Sequence, residues 1–422
     1  MAGNPSFATA TAGELAGSAG IRDVLRWFTR EKQWVNDIHL RLCRVPAPTF
    51  LERERAEWFA SQIRVIGWHA SVDQAGNVIA TLEPELHAGT IALTAHLDTV
   101  LAPRSKDDVS IDRDGDMLGP GVSDNGAGLA GLLAIAKAIK TSSDARTAAD
   151  LWNRLLLIAN VGEEGEGNLC GMRHICAQAD LMQHISAFLV LDGAATDHIT
   201  VQALGSRRFE VTFAGAGGHS WSDFGTANPV HALSRAIGFF VDENPLDPRA
   251  LPKVSVNVGL IEGGTGINAI PAGARAKIDI RSESNEKMDG LVSALYGAVA
   301  RGEEIENSRA TGQKVMAKIR EIGSRPAAAL AADAPIIATI RSVDAHLGIR
   351  SRLDCASTDA NIPLSLGIPA VSIGAGGKGG GAHTTAEWYR ADGRDLGLKR
   401  VLLIAAMLLR DCGDDSLVKH ER

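Results

Sequence analysis

Acidic and imidazole side chains recur at equivalent places along this chain. His96 and Asp98 close the apolar run IALTA, Glu163 and Glu164 follow LLLIANV, and Asp192 ends AFLVL. Asp124 lies in GPGVSDNGAGLAG, where a glycine-rich loop enters a helical pattern, and His383 lies in the glycine-rich GGGAHTTAEW. Two imidazoles and several carboxylates in one crevice suit a borderline divalent metal such as zinc, with cobalt or manganese as alternatives. A two-metal centre with ions about 3.5–4 Å apart needs a bridging carboxylate and open positions for water and substrate, and this set supplies enough donors. The adjacent pair Glu163-Glu164 makes the strongest demand, because neighbouring carboxylates repel unless a cation lies between them.

Each residue also has an ordinary reading. A single HxD after a strand is commonly a polar pair, and two glutamates after a strand are commonly a solvated loop. Asp192 alone is a strand terminus, and Asp124 alone is a helix N-cap favoured by the helix dipole. His39, His69 and His231 are read as core or surface residues. Ordered co-occurrence is what separates the chosen set from these.

The elements that must position the set alternate between helix and strand. Helical patterns run from about residue 22 to about Leu42 and through RERAEWFASQIRVIG, GAGLAGLLAIAKAIK and GMRHICAQAD; strand patterns run through ASVDQAGNVIATL, TIALTAHLD, NRLLLIANV and AFLVLDG. This alternation predicts an α/β sheet with a parallel centre and helices on both faces. The short continuous runs LLLIA and FLVL suit strands buried on both sides. In such sheets ligands bind outside the carboxyl ends of the strands, which is where the candidate residues fall. Between 206 and 323 the pattern changes to β-α-β-β-α-β, a ferredoxin-like unit inserted into the α/β domain. The expected organisation is a flexible tail over 1–21, a metal-binding α/β domain over 22–205 and 324–422, and the inserted domain over 206–323.

Composition narrows the classes. At 422 residues the chain can bury a core in more than one domain, and 43 basic against 50 acidic residues leave a net charge of −7 with no basic block for nucleic acid. Five cysteines without a CxxC pair argue against a disulfide framework and a cysteine zinc site. The first twenty residues lack the basic start and apolar core of a signal peptide, and LLIAAMLL is too short to span a bilayer. These features predict a cytoplasmic protein with a small-molecule partner, no nucleic-acid partner and no membrane association. GAGGKGGG and GAGGHS lack phosphate-loop spacing, and DRDGDMLG resembles a calcium loop but reads better as a hairpin turn at Asp114-Gly115.

In this order, TAHLDTV, GPGVSDNGAG, NVGEEGEGN, LVLDG and GGGAHTTAEW resemble the M20 family of dinuclear zinc peptidases and amidohydrolases, over nearly the whole chain after the tail. The family includes peptidase T, carboxypeptidase G2 and aminoacylase relatives. The resemblance implies a zinc-peptidase-like catalytic domain with a mixed, mostly parallel sheet, and a ferredoxin-like lid that forms a homodimer. It implies two divalent ions: Asp124 bridges them, His96 and Asp192 complete one, and Glu164 and His383 complete the other. It further implies that Asp98 orients His96 and that Glu163 is the general base toward a water between the ions. A cis peptide at Asp124-Asn125 is also implied.

In the inserted domain, the resemblance assigns His219 to the oxyanion, from the partner subunit, Asn268 to holding the substrate, and Arg281 to a substrate carboxylate. By itself Arg281 also reads as a strand-edge surface charge. The implied reaction is hydrolysis of an amide bond in a di- or tripeptide. An N-acyl- or N-carbamoyl-amino-acid amidohydrolase is the alternative, and a metal-free binding relative is a distant one. Asp192, where deacetylase relatives commonly carry Glu, leans toward peptidases, as does the HSW context more weakly.

Overall fold

The computed structural model describes residues 11–142 and 149–419. The chain divides into two compact units, one running to Val201 and resuming at Ala329, the other spanning Gln202–Ala328.

In the first unit the sheet runs in the order His69–Val72, Val78–Thr81, Leu155–Asn160, Thr90–His96, Ile185–Leu191, Ala370–Ile373, His198–Ala203. Its centre is parallel: Leu155–Asn160, Thr90–His96, Ile185–Leu191 and Ala370–Ile373 point the same way, and antiparallel strands flank them. The result is an α/β fold with a mixed sheet. Every residue of Thr90–His96, Leu155–Asn160 and Ala370–Ile373 is buried. Such strands have no solvent face, so their sequences show apolar runs instead of alternation. The helices Gly126–Thr141 and Arg394–Lys419 both pack on Thr90–His96, and the first is buried along almost its whole length because it is built from Gly, Ala, Leu and Ile.

Three features depart from the sequence expectation. The stretch expected to be a flexible tail is helical from Ala12. A capping box links Thr11 and Glu14 at the start of Ala12–Gly17, and Ala19–Arg30 follows directly. Ala12 and Ile21 are buried in the main core. The alanine and glycine content hid an apolar face that tertiary packing uses; residues 1–10 of the expected tail lie outside the described residues. Strand His198–Ala203 was not anticipated. Nor, beyond the hairpin expected at Asp114-Gly115, was the small antiparallel sheet of Lys378–Gly380, Trp388–Arg390, Met117–Leu118 and Ser110–Ile111, in that order. Its last two strands form the hairpin at Asp114-Gly115, and the pairing of Trp388 with Leu118 sets the segment around His383 beside the loop that carries Asp124.

The second unit has a four-stranded antiparallel sheet in the order Val254–Gly263, Gly273–Ser282, Gly205–Ala214, Met316–Arg325. Its helices, Pro229–Glu243 and Asn285–Arg309, pack on each other and on the sheet. Alternation is plain along Gly273–Ser282: Ala274, Ala276, Ile278 and Ile280 are buried, whereas Arg275, Lys277, Asp279 and Arg281 lie on the other face. Among the described residues of the chain, no helix is long and apolar enough to cross a membrane.

Candidate metal centre

Four parallel strands end together, and the candidate residues of the first unit follow from those ends. His96 terminates its strand, Asp192 comes one residue after Leu191, and Glu163 and Glu164 lie three and four residues past Asn160. Asp124 precedes Asn125, which caps helix Gly126–Thr141 through Oδ1, accepting from Gly128 N at 3.1 Å. The same Oδ1 accepts from Gly193 N at 3.2 Å, and Nδ2 donates to Leu191 O at 2.7 Å, so one side chain ties the Asp124 loop to the Asp192 segment. The peptide Asp124-Asn125 is cis.

Ligand atoms converge in three overlapping groups, each within 4.8 Å: His96, Asp124 and Asp192; Asp124, Glu164 and His383; and His96, Glu163 and Glu164. Asp124 belongs to the first two. His96 Nε2 lies 3.0 Å from one of its carboxylate oxygens, and His383 Nε2 lies 3.1 Å from the other. His383 Nε2 is also 2.7 Å from Glu164 Oε1. Glu163 joins only His96 and Glu164, so the two glutamates differ in their surroundings.

The charges show what the cluster requires. Burial, then the charge of Glu163, pushes the Glu164 carboxyl up to about 7, and burial followed by the charge of Asp124 pushes Asp192 well above the usual carboxylate range. The hydrogen bond to Asp124 raises His383 to about 9. Burial opposes charge on His96, but its hydrogen bonds to Asp124 and Asp98 outweigh burial and raise it well above the ordinary imidazole value. Asp124 is held low despite burial by its hydrogen bonds with His383 and His96. Protons thus supply positive charge among five convergent donors, a task that two divalent cations would perform without them. The residues fit such a pair.

Asp98 does more than the sequence suggested. His96 Nδ1 lies 2.9 Å from the Asp98 carbonyl and 3.5 Å from its carboxylate. The carboxylate accepts the backbone N–H of Glu163 at 3.0 Å and of Glu164 at 2.9 Å, and the hydroxyl of Thr49 at 3.0 Å. Val161 N donates to Asn77 Oδ1 at 3.0 Å, and Gly162 N to Glu52 Oε1 at 3.1 Å. Each amide from 161 to 164 therefore has a side-chain acceptor. Gly162 adopts φ +65°, and a Cβ there would run into Cys170 Sγ, so the turn admits only glycine comfortably.

Other buried groups were missed in the sequence. Glu387 accepts amides from the Asp124 loop, Asn160 Nδ2 donates to Asp359 Oδ2 at 2.6 Å, and burial plus the charge of Glu163 pushes Asp359 up to about 7. Glu387 stood within the GGGAHTTAEW motif, and Asp359 in STDAN, as an acid beside an apolar strand pattern.

The remaining candidates belong to the second unit. His219 and Asn268 are neighbours: Gly218–His219 pairs with Ala269–Ile270, and Ser220 N donates to Asn268 O at 2.9 Å. His219 is exposed, and its Nδ1 accepts from Trp221 N at 3.2 Å and Ser222 N at 3.3 Å. In the neutral ring this leaves the proton on Nε2, which becomes a donor. Arg281 already has an anionic partner within its own strand. Its Nε donates to Asp279 Oδ2 at 2.6 Å, and its side chain is 40% exposed. Asp279, two residues earlier on the same strand face, also accepts from Arg208 Nε at 3.3 Å.

The chain resembles known proteins over most of its length. The model of Peptidase family M20/M25/M40 matches residues 92–409. The chain is 26% identical over 328 residues to a cytosol non-specific dipeptidase of Escherichia coli, an alignment covering 70% of this chain and 62% of the dipeptidase, so it spans less than two thirds of that relative. Among solved structures, a tripeptidase from Staphylococcus aureus superposes with a TM-score of 0.71 at 19% identity, covering 90% of this chain and 99% of the other. A dinuclear metal-binding M20 peptidase from Bacillus subtilis superposes with a TM-score of 0.60 at 17% identity, covering 91% and 99%. With three quarters of its length inside the family match and the ordered acids and imidazoles gathered at the strand ends, the chain belongs to Peptidase family M20/M25/M40.

Proposed function

We propose that this protein hydrolyses an amide bond in a small substrate, a di- or tripeptide, with two divalent cations, zinc in the first instance and cobalt or manganese as substitutes. The observation that carries the reading is Asp124, whose carboxylate is common to two groups of ligand atoms, each completed by one imidazole and one further acid. His96 and Asp192 would hold one cation with Asp124; Glu164 and His383 would hold the other. When bound, such a pair supplies Lewis acidity, acidifying water and polarising the scissile carbonyl. Glu163, buried and outside the two sets that share Asp124, takes the proton from the attacking water and passes it to the leaving amine. Asp98 holds the amides of both glutamates and thereby aims one at the cations and the other at the water.

The unit interrupted between Val201 and Ala329 is the catalytic domain in this reading, and Gln202–Ala328 is a ferredoxin-like lid that also forms the homodimer. His219 donates from Nε2 to the developing oxyanion of the partner's site, Asn268 holds the substrate, and Arg281 binds its carboxylate. The similar dipeptidase is cytosolic, which supports a cytoplasmic location; cell fractionation tests it.

A chelator should abolish hydrolysis, and zinc, cobalt or manganese should restore it; full activity in metal-free protein would sink the proposal. A panel of dipeptides, tripeptides, N-acetyl and N-carbamoyl amino acids assigns the substrate class. Turnover of the acylated or carbamoylated amino acids alone would replace the peptidase reading with the amidohydrolase one.

Glu163→Gln should keep its metal content but lose roughly 10²–10⁴-fold in kcat, the range for loss of a general base. Loss of metal from that variant would show that Glu163 is a ligand instead.

Mixing inactive His219→Ala with inactive Glu163→Gln should regenerate activity, because one site in each heterodimer has both groups intact. Verified heterodimers without activity would place His219 outside the partner's site.

For Arg281, the existing pair with Asp279 and the partial exposure lower the expected effect to that of exposed ion pairs, roughly 0.2–1 kcal/mol. Amidating the substrate's C-terminus should cost up to about fivefold in kcat/KM, the same energy range, and Arg281→Ala should erase the difference. Equal rates for acid and amide with the unaltered protein would remove Arg281 from recognition.

A further inference from the structure

Glu387 is 3% exposed and lies four residues after His383, yet it belongs to none of the three groups of ligand atoms. Its oxygens are turned to the backbone of the Asp124 loop. Gly121 N donates to Oε2 at 2.7 Å, while Ser123 N at 2.8 Å and Asp124 N at 2.9 Å donate to Oε1. Its carbonyl accepts from Gly119 N at 3.0 Å. Residue 387 thus grips the segment 119–124 by four hydrogen bonds, and the neighbouring pairing of Trp388 with Leu118 extends the grip. Gly121 adopts φ +75°, and a Cβ there would meet Thr99 Cγ2, so the chain is confined where its amides point at Glu387.

We infer that Glu387 is a positioning residue for the metal centre: its carboxylate fixes the loop that presents Asp124, and so sets the affinity for both cations at once. This rests on the proposed ligand role of Asp124. A ligand shared by two ions must hold both oxygens at fixed places, and the amide of Asp124 itself is one of the three that Glu387 accepts. A residue next to a private ligand would tune one ion; a residue that fixes the shared ligand tunes two. Outer hydrogen-bonding partners of metal ligands commonly contribute 10- to 100-fold in affinity. Glutamine at 387 is the same size but faces the donated amides with an NH2 group on one side, leaving at least one buried N–H unpaired.

The test is metal titration of the purified full chain by calorimetry, with the absorption spectrum of the cobalt-loaded protein as a second readout. Glu387→Gln should bind both metals roughly 10- to 100-fold more weakly, with an altered cobalt spectrum and two sites still filled at saturation. Unchanged affinity and spectrum would overturn the inference. Two controls separate the causes. Asp124→Asn must itself lose metal; if it does not, the ligand assignment fails, whereas a metal-deficient Asp124→Asn beside an unaffected Glu387→Gln defeats only the positioning role. Asp344→Asn disturbs the buried ion pair with Arg400, whose Nε lies 2.6 Å from Asp344 Oδ1, and should leave metal affinity unchanged. Equal weakening there would reduce the Glu387 effect to general destabilisation and overturn the inference. Should Glu387→Gln not accumulate folded, Glu387→Asp carries the same expectation, since the charge remains but the reach is one methylene short. Failure of both variants to fold, with or without metal, would make the carboxylate a folding requirement and overturn the positioning role.

Discussion

Backbone amides that have left the sheet but remain buried are the constraint on which the site depends. Each such N–H without an acceptor costs about 1–3 kcal/mol, so a loop can enter the interior only where acceptors await it. Two loops do so here. Val161 to Glu164 are met by Asn77, Glu52 and Asp98, and Gly121, Ser123 and Asp124 by Glu387. Charged acceptors make shorter and stronger bonds than neutral ones, which explains the preference for acids in this role. It also adds negative charge beside ligands that are themselves acidic. Burial raises Glu52 and Glu387, and the charges of Asp98 and Asp124 respectively push them the same way. The acids that fix these loops therefore add to the negative charge that cations would relieve at the candidate ligands.

The acids consequently fall into two kinds, distinguished by what their oxygens hold. Glu52 and Glu387 spend theirs on amides, and Asp98 divides its own among two amides, the Thr49 hydroxyl and His96; Asp124, Glu164 and Asp192 turn theirs toward one another and toward the imidazoles. Composition cannot separate the two kinds, since both are buried carboxylates near a strand end. Hydrogen bonding does separate them, and it does so before any metal is considered. Asp98 shows how close the kinds can lie: its carboxylate fixes both glutamates while its carbonyl takes His96 Nδ1, so the strand end and the following loop are held by one residue.

The parallel sheet centre was legible because strands buried on both faces are written as unbroken apolar runs, as in LLLIA, and the candidate ligands because metal chemistry admits few residue types and the strand ends gather them. Glu387 was not legible as a clamp. Its amide partners lie 263 to 266 residues away, and accepting a backbone N–H imposes no pattern on the donor's side chain. The helix Ala12–Gly17 and the first turn of Ala19–Arg30 were hidden because small residues give a weak periodic signal, although Ala12 and Ile21 reach the core. The Asp279–Arg281 pair is a different case: alternation along a strand puts residues two apart on one face, so IDIRS already contained the ion pair that the structure displays.

That pair changes how an anion would be recognised in the second unit. An arginine with no partner gains the full interaction with an incoming carboxylate, whereas Arg281 must exchange one carboxylate for another. The exchange is feasible because Asp279 does not depend on Arg281 alone. Its other oxygen accepts from Arg208, whose own pKa is lowered by burial and by the charges of Arg325 and Arg281. Asp279 would stay neutralised if Arg281 turned away, and the surplus positive charge around it would favour an added anion. Selection by this route is the difference between two similar ion pairs, and it stays small. Under the proposed role, such a site would register that a substrate carries a carboxylate while leaving its side chains unread, as a peptidase of varied short substrates would require.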